Sequence, residues 1–109
     1  MLSKENRIVD GSDFMRILRK GKKVRTAHFL ISSTPSFDAH LRVGFLVNKK
    51  VGKAHTRNLV RRRLQALAYE VLVSDASIAK DIVIRASEGA GDLTWEDIRE
   101  ELVTALRKV

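Results

Sequence analysis

Apolar residues recur at helical spacing in three stretches of this chain, at alternate positions in two more, and as a short β-branched run in a sixth. In the first helical stretch Phe14, Ile17 and Leu18 share one side. Asp10 or Ser12 is placed to cap it through to about Lys20. Gly21 ends it, where a left-handed residue is wanted. Lys20, Lys22 and Lys23 suit the negative pole of that helix. Val24 to Ser33 then alternates, with Ala27, Phe29 and Ile31 facing one way and Thr26, His28, Leu30 and Ser32 the other. The run is long enough to be two strands. Thr34 to His40 holds the only proline, Pro35, and reads as a loop. Leu41 to Asn48 is the second extended run, with Leu41, Val43, Phe45 and Val47 on one face. A hairpin across the loop is the simplest pairing of the two runs.

The second helical stretch begins near Thr56 and reaches about Val73, with Val60, Leu64, Leu67 and Val71 at the spacing of a core stripe. At about 100° per residue, Arg57 and Arg61 fall on one flank of that stripe and Arg63 on the other. Asn58, Arg62 and Gln65 point away from it. Asp81 to Ala86 is the β-branched run and reads as a strand, followed by a loop at Glu88 to Asp92. Thr94 opens the last helix, with Asp97 three residues on as in a capping box. Trp95, Ile98, Leu102, Ala105 and Leu106 form its apolar face, and Glu96, Asp97, Glu100 and Glu101 its solvent face. Tyr69 and Trp95 read as packing residues. The order of elements is that of an α+β domain with helices laid on a small sheet. Residues 1–11 are polar and read as a flexible basic arm carrying Lys4 and Arg7.

Composition fixes the scale. A chain of 109 residues, 44% hydrophobic, makes one domain with one modest core. Charge changes the picture more. The net charge is +8, and it is uneven: residues 1–38 hold eight basic and four acidic residues, 39–69 hold eight and none, and 70–109 hold five and nine. Seven of the fifteen residues from Lys49 to Arg63 are Lys or Arg. Such a run repels itself and calls for an anionic partner. Arginine presents a planar fork of donors that matches phosphate oxygens, and lysine a mobile point charge. Gly52 lets the backbone come close to a bound strand, and Asn58 can both donate and accept toward a base or a ribose hydroxyl.

Other chemistry is poorly supplied. There is no cysteine, so disulfides, thiolate metal sites and cysteine nucleophiles are excluded. His28, His40 and His55 lack metal-ligand spacing. Phe14 and Phe29 could stack on bases, or belong to the core. No early apolar run reads as a signal peptide and none is long enough for a membrane helix, so the expectation is a cytoplasmic protein with no membrane partner.

The stretch KKVGKAHTRNLVRRRL resembles the RNR motif of the bacterial ribonuclease P protein component, a pattern close to K-K-x-G-x-A-x-x-R-N-x-x-x-R. Lys49, Lys50, Gly52, Ala54, Arg57, Asn58 and Arg62 match it. SDFMRILRKGKKV, LRVGFLVNKK and DIVIRASEGAGDLTWEDI resemble the family's first helix, the strand before the motif, and its last strand and helix start. The resemblance implies an αβββαβα sandwich of the ribosomal protein S5 domain 2 type with a left-handed βαβ crossover, against the usual hand. It implies a subunit of ribonuclease P in which the RNA holds Mg²⁺ and cleaves the 5′ leader from precursor tRNA. The protein, one per RNA, would bind the RNA subunit and the leader and supply no catalytic residue. By position, Lys49, Lys50, Gly52, Lys53, Arg57, Asn58, Arg61, Arg62 and Arg63 would face RNA, and Phe14, Leu18, Leu30 and Ser32 would line the leader cleft. Leu18 and Ser32 stand where the family often has aromatic residues, and Leu59 and Gln65 where it often has basic ones. The alternative is a ribosomal or RNA-chaperone-type domain with no role in cleavage. A duplex-DNA-binding helix module and a protein-only nuclease are further rivals.

Overall fold

The structure, a computed structural model, describes residues 4–36, 40–73 and 79–109, with Val73 by its backbone alone. The centre of the expected 34–40 loop and the first three residues of the expected arm lie outside these. The elements are α1 (Gly11–Lys20), β1 (Lys22–Arg25), β2 (Phe29–Pro35), β3 (Arg42–Val47), α2 (Ala54–Ala68), β4 (Lys80–Ala86) and α3 (Trp95–Leu106). This is the αβββαβα order.

One sheet runs β1-β2-β4-β3. β1 and β2 form an antiparallel hairpin, so the long first run is split in two. The expected hairpin between the first two runs does not form. β4 lies between them instead, antiparallel to β2 and parallel to β3, and α2 makes the β3-to-β4 crossover. The reason lies in β4 itself. Ile82 and Ile84 are buried on one face and Val83 on the other, and a strand apolar on both faces belongs at the centre of a sheet.

The two faces are covered unequally. α2 and α3 bury Val60, Leu64, Leu67, Ile98 and Leu102 against Phe29, Ile31, Val43, Ile82 and Ile84. On the other face α1 alone places Ile17 over Val83, beside Ile8, with Phe14, Leu18 and Leu46 packed at the margin. Asp10 caps α1, its carboxylate accepting the Ser12 N–H at 2.8 Å.

Several local expectations are corrected. The basic arm is docked from Asn6 to Ile8: the Ile8 N–H donates to Val43 O at 3.0 Å, the Asn6 amide to Leu41 O at 2.7 Å, and Ile8 is buried. An apolar residue on the free edge of β3 outweighs the polar character of its neighbours. Gly21 is extended, with φ −70°, and not left-handed. It is needed for space, because a Cβ there would sit 2.5 Å from Ile17 O. α2 starts at Ala54 and passes at Tyr69–Val73 into a π-helical turn. Ala68 is buried at the end of α2, and in the turn Leu72 is buried while Val71 is only partly buried against the core. Tyr69 and Trp95 are 49% and 39% exposed and are not core residues. Glu101 leaves the solvent face of α3. Its carboxylate accepts from the Thr26 hydroxyl, from the His28 N–H at 2.8 Å and meets His28 Nδ1 at 2.8 Å.

Candidate nucleic-acid interface

The basic stretch divides into a turn and a helix face. β3 ends at Val47, and Asn48 accepts the Lys50 N–H on its side chain at 3.0 Å, closing a 3-10 turn at Lys49–Val51. Val51 is buried and anchors the turn, and Lys49 and Lys50, the two residues before it, are exposed. Gly52 follows at φ 149°, a conformation that disfavours any side chain. It redirects the chain into α2. Lys53 is the N-cap residue and makes no side-chain cap, so the first N–H groups of α2 stay open beside two exposed residues, Lys53 and His55.

Along α2 the side chains are not equivalent. Arg57 is half-buried; its Nε is shielded from solvent and has no acceptor among the described residues. Arg61 donates to Asn58 Oδ1 at 2.7 Å, which ties the two together on the surface. Arg62 is exposed. Arg63, on the opposite flank, donates to the Leu93 carbonyl at 2.9 Å and so helps hold the loop before α3. None of these seven cations forms an ion pair with a described carboxylate.

A cavity of about 180 Å³ lies at the edge of β3 between α1 and α2, lined by Arg7, Phe14, Gly44, Arg61 and Gln65 among others. It links the Arg57–Arg61 flank of α2 to the N-terminal segment. Phe14 lies over Gly44, partly buried, at its boundary.

The second surface is the sheet face that α1 only partly covers. Phe14 and Leu18 on α1 and Leu30 on β2 are half-buried and border its open part. Ser32 is not with them. It is wholly buried one row further in, beside Val83, and its hydroxyl finds no partner among the described residues. The structure therefore corrects Ser32 as a surface group of the cleft.

Beneath α1 lies a charged cluster that sequence reasoning missed. Asp81 is fully buried. Arg42 grips it with two donors, Nη2 at 2.7 Å and Nε at 2.9 Å, and Arg16 adds Nη2 at 3.0 Å. Asp13 accepts from Arg42 at 3.2 Å and lies 3.5 Å from Arg16. The hydrogen bond from Arg42 to Asp81, more than burial opposes it, holds that guanidinium firmly protonated. The period-2 alternation of β4 puts Asp81 on the Val83 face, but only the tertiary fold brings the arginines to it.

Among the described residues no three His, Asp or Glu side chains group as metal ligands, and no helix is long and apolar enough to cross a membrane. The arrangement can hold polyanions by turn, helix face and open sheet.

Comparison with known proteins shows the family. The profile of the family described as Ribonuclease P matches residues 2–109. The ribonuclease P protein component of Clavibacter michiganensis subsp. michiganensis is 38% identical, over 99% of this chain and 96% of the relative. That of Staphylococcus haemolyticus is 33% identical, over 97% and 91%. The structure of the Staphylococcus aureus RNase P protein superposes with a TM-score of 0.85 at 32% identity, covering 94% of each chain. The RNase P protein from Thermotoga maritima shares the fold at a TM-score of 0.83 and 22% identity, over 94% and 96%.

Proposed function

The chain belongs to the ribonuclease P protein family, and from that premise we propose that it is the RNA-binding protein subunit of ribonuclease P, assisting removal of the 5′ leader from precursor tRNA. Its partners are the ribonuclease P RNA, one protein to one RNA, and the leader of the substrate, in the cytoplasm. The observation that carries this reading is the run of seven cations from Lys49 to Arg63 with no Asp or Glu within it and no ion pair to a described carboxylate. Like charges gathered at this density are stabilised by a polyanion, and release of its counterions drives the association. The turn at Lys49–Val51 and the exposed Arg62 reach phosphates. Asn58, already held by Arg61, supplies a polar group at a fixed place for a base or ribose hydroxyl.

Catalysis in this reading resides in the RNA subunit, whose bound Mg²⁺ activates water for phosphodiester hydrolysis. Among the described residues, Asp81 and Asp13 are engaged by Arg16 and Arg42, and Glu101 by Thr26 and His28, so these carboxylates are already held by the protein's own donors. The protein contributes binding and orientation, holding the leader while the RNA acts.

Precursor-tRNA cleavage at near-physiological Mg²⁺ tests this, with protein alone, the cognate RNA subunit alone, and both. Efficient cutting at the mature 5′ end by the mixture only is the expected result. Cutting by the protein alone would place the chemistry in this chain. No stimulation of the RNA would favour the ribosomal or RNA-chaperone alternative.

A further inference from the structure

The basic turn at Lys49–Val51 is backed by the loop of residues 87–93, between β4 and α3. That loop is fixed at several points. The Ser87 N–H donates to His28 O at 2.8 Å, Ala90 is fully buried, and Leu93 O accepts from Arg63 at 2.9 Å. Its backbone closes a 3-10 turn at Ala90–Asp92, with the Asp92 N–H on Gly89 O at 3.1 Å. Gly91, in the middle of that turn, is where the loop meets the basic stretch. A Cβ on Gly91 would stand 2.5 Å from Thr56 Cγ2 and 3.2 Å from Val51 O. The same Thr56 methyl lies against Gly52, where a Cβ would stand 3.1 Å from it. Thr56 belongs to the first turn of α2, and a β-branched side chain in a helix has few rotamers to retreat to. One methyl group thus sets the spacing of three pieces: the loop, the basic turn with its following glycine, and the start of α2.

We propose that Thr56 and Gly91 are positioning residues for the RNA-binding surface: they hold the turn that carries Lys49 and Lys50 at a set angle to α2 before RNA arrives. Neither touches RNA; both act through the turn. The charge of the turn calls for such a support. Lys49, Lys50 and Lys53 lie within five residues of one another and repel. The backbone bonds of the turn are local, from the Val51 N–H to Asn48 O and from the Gly52 N–H to Lys49 O. Val51 anchors it from within, and Gly91 backs it at Val51 O. A surface already arranged binds with a smaller loss of conformational freedom than one its ligand must order. A side chain at residue 91 would press on Thr56 and on Val51 O together. The loop is pinned by Ser87, Ala90 and Leu93, so the turn is the piece that moves.

This inference rests on the proposed function, and the experiment separates the two. Affinity of the full chain for its cognate ribonuclease P RNA is measured over a range of salt, at a temperature where circular dichroism shows the variants folded. Gly91→Ala should weaken binding by about threefold to tenfold, the loss of roughly one phosphate contact, and lower the salt slope by about one. Thr56→Ser removes the methyl and adds no atom. It should weaken binding less, and it reads the same contact should Gly91→Ala not fold. The double variant moves the methyl from residue 56 to residue 91, and should recover most of the affinity that Gly91→Ala loses. Coupling to the turn separates positioning from stability. With Lys49→Gln and Lys50→Gln already made, neither substitution should cost anything further, whereas beside Arg62→Gln their costs should add in full. Wild-type affinity in the folded single variants overturns the positioning role and leaves the proposed function standing. So does a cost that adds in full to the loss of the turn lysines. A wild-type chain that does not bind the RNA overturns the proposed function and this inference together.

Discussion

Two arginine-rich regions of this molecule differ in whether acid accompanies them. Under α1, Arg16 and Arg42 meet Asp81 and Asp13 in contacts of 2.7 to 3.5 Å, two cations to two anions. From Lys49 to Arg63 the side-chain partners among the described residues are neutral, Asn58 Oδ1 and Leu93 O. The first set is spent on the fold: it fastens α1 across β3 and β4. The second contributes little to the fold and stays available to a ligand. Net charge cannot separate these cases, because arginine is common to both. What separates them is the distance to the nearest carboxylate.

The sharpest way to break the comparison is to remove the acid. Asp81→Ala leaves Arg16 and Arg42 partly buried with Asp13 as their one remaining carboxylate among the described residues, and losing one partner of a buried pair costs about 3–5 kcal/mol. Urea denaturation should show a loss of that size, large against the stability of a small domain. A near-neutral effect would mean that the cluster does not hold α1, and the contrast with the basic helix would lose its meaning.

The next effect belongs to the other region and should appear in a different assay. Arg57→Ala or Arg62→Ala should cost about 1–3 kcal/mol of affinity for the RNA subunit and reduce the salt slope by about one. The urea midpoint should hardly move for Arg62→Ala, whose side chain is exposed with no described acid partner. If binding is unchanged, the α2 face is the wrong surface.

Arg63 lies between the classes. It is part of the basic run, yet it donates to Leu93 O across to the loop before α3. Arg63→Ala should therefore lower stability by about 0.5–1.5 kcal/mol, the net value of such a bond, where Arg62→Ala does not. Equal stability of the two variants would return Arg63 to the purely RNA-facing set.

The same contrast explains what the sequence showed. The basic run was legible because its signal is local: spacing, a glycine and the absence of acid can all be read within one stretch. The helices and strands were legible through their periodicity, down to the Thr94 cap and the β-branched β4. The strand order was not read, although β4 carries its signal: three apolar residues in a row, Ile82 to Ile84, mark a strand buried on both faces, and the simplest hairpin was preferred over it. The hand of the crossover came only with the resemblance. The Asp81 cluster joins residues 13, 16, 42 and 81 and exists only in the folded chain. Ser32 was placed in the cleft by the resemblance alone, and the structure buries it beside Val83. Trp95 and Tyr69 were misread because an aromatic residue in a helical pattern looks like core until the helix is placed.

Glu101 supplies the smallest effect and the last check. It comes from the acidic third of the chain, and unlike Glu96 and Glu100 it is recruited into the fold. Burial pushes its carboxyl up. Hydrogen bonds from the Thr26 hydroxyl and from the ring and N–H of His28, with the charge of His28, outweigh burial and hold it below the usual 4.5. A glutamate whose pKa is lower folded than unfolded stabilises the fold above its unfolded value, and loses that contribution as pH falls through the folded one. Glu101→Gln keeps the shape and removes the charge. Wild type should thus be the more stable at pH 7, and the gap should narrow as pH drops below about 4.5. Denaturation midpoints of both proteins from pH 7 down to acid would show it. A gap constant over that range would mean that Glu101 works through shape and hydrogen bonds alone. Charged pairing would then be confined to the cluster under α1.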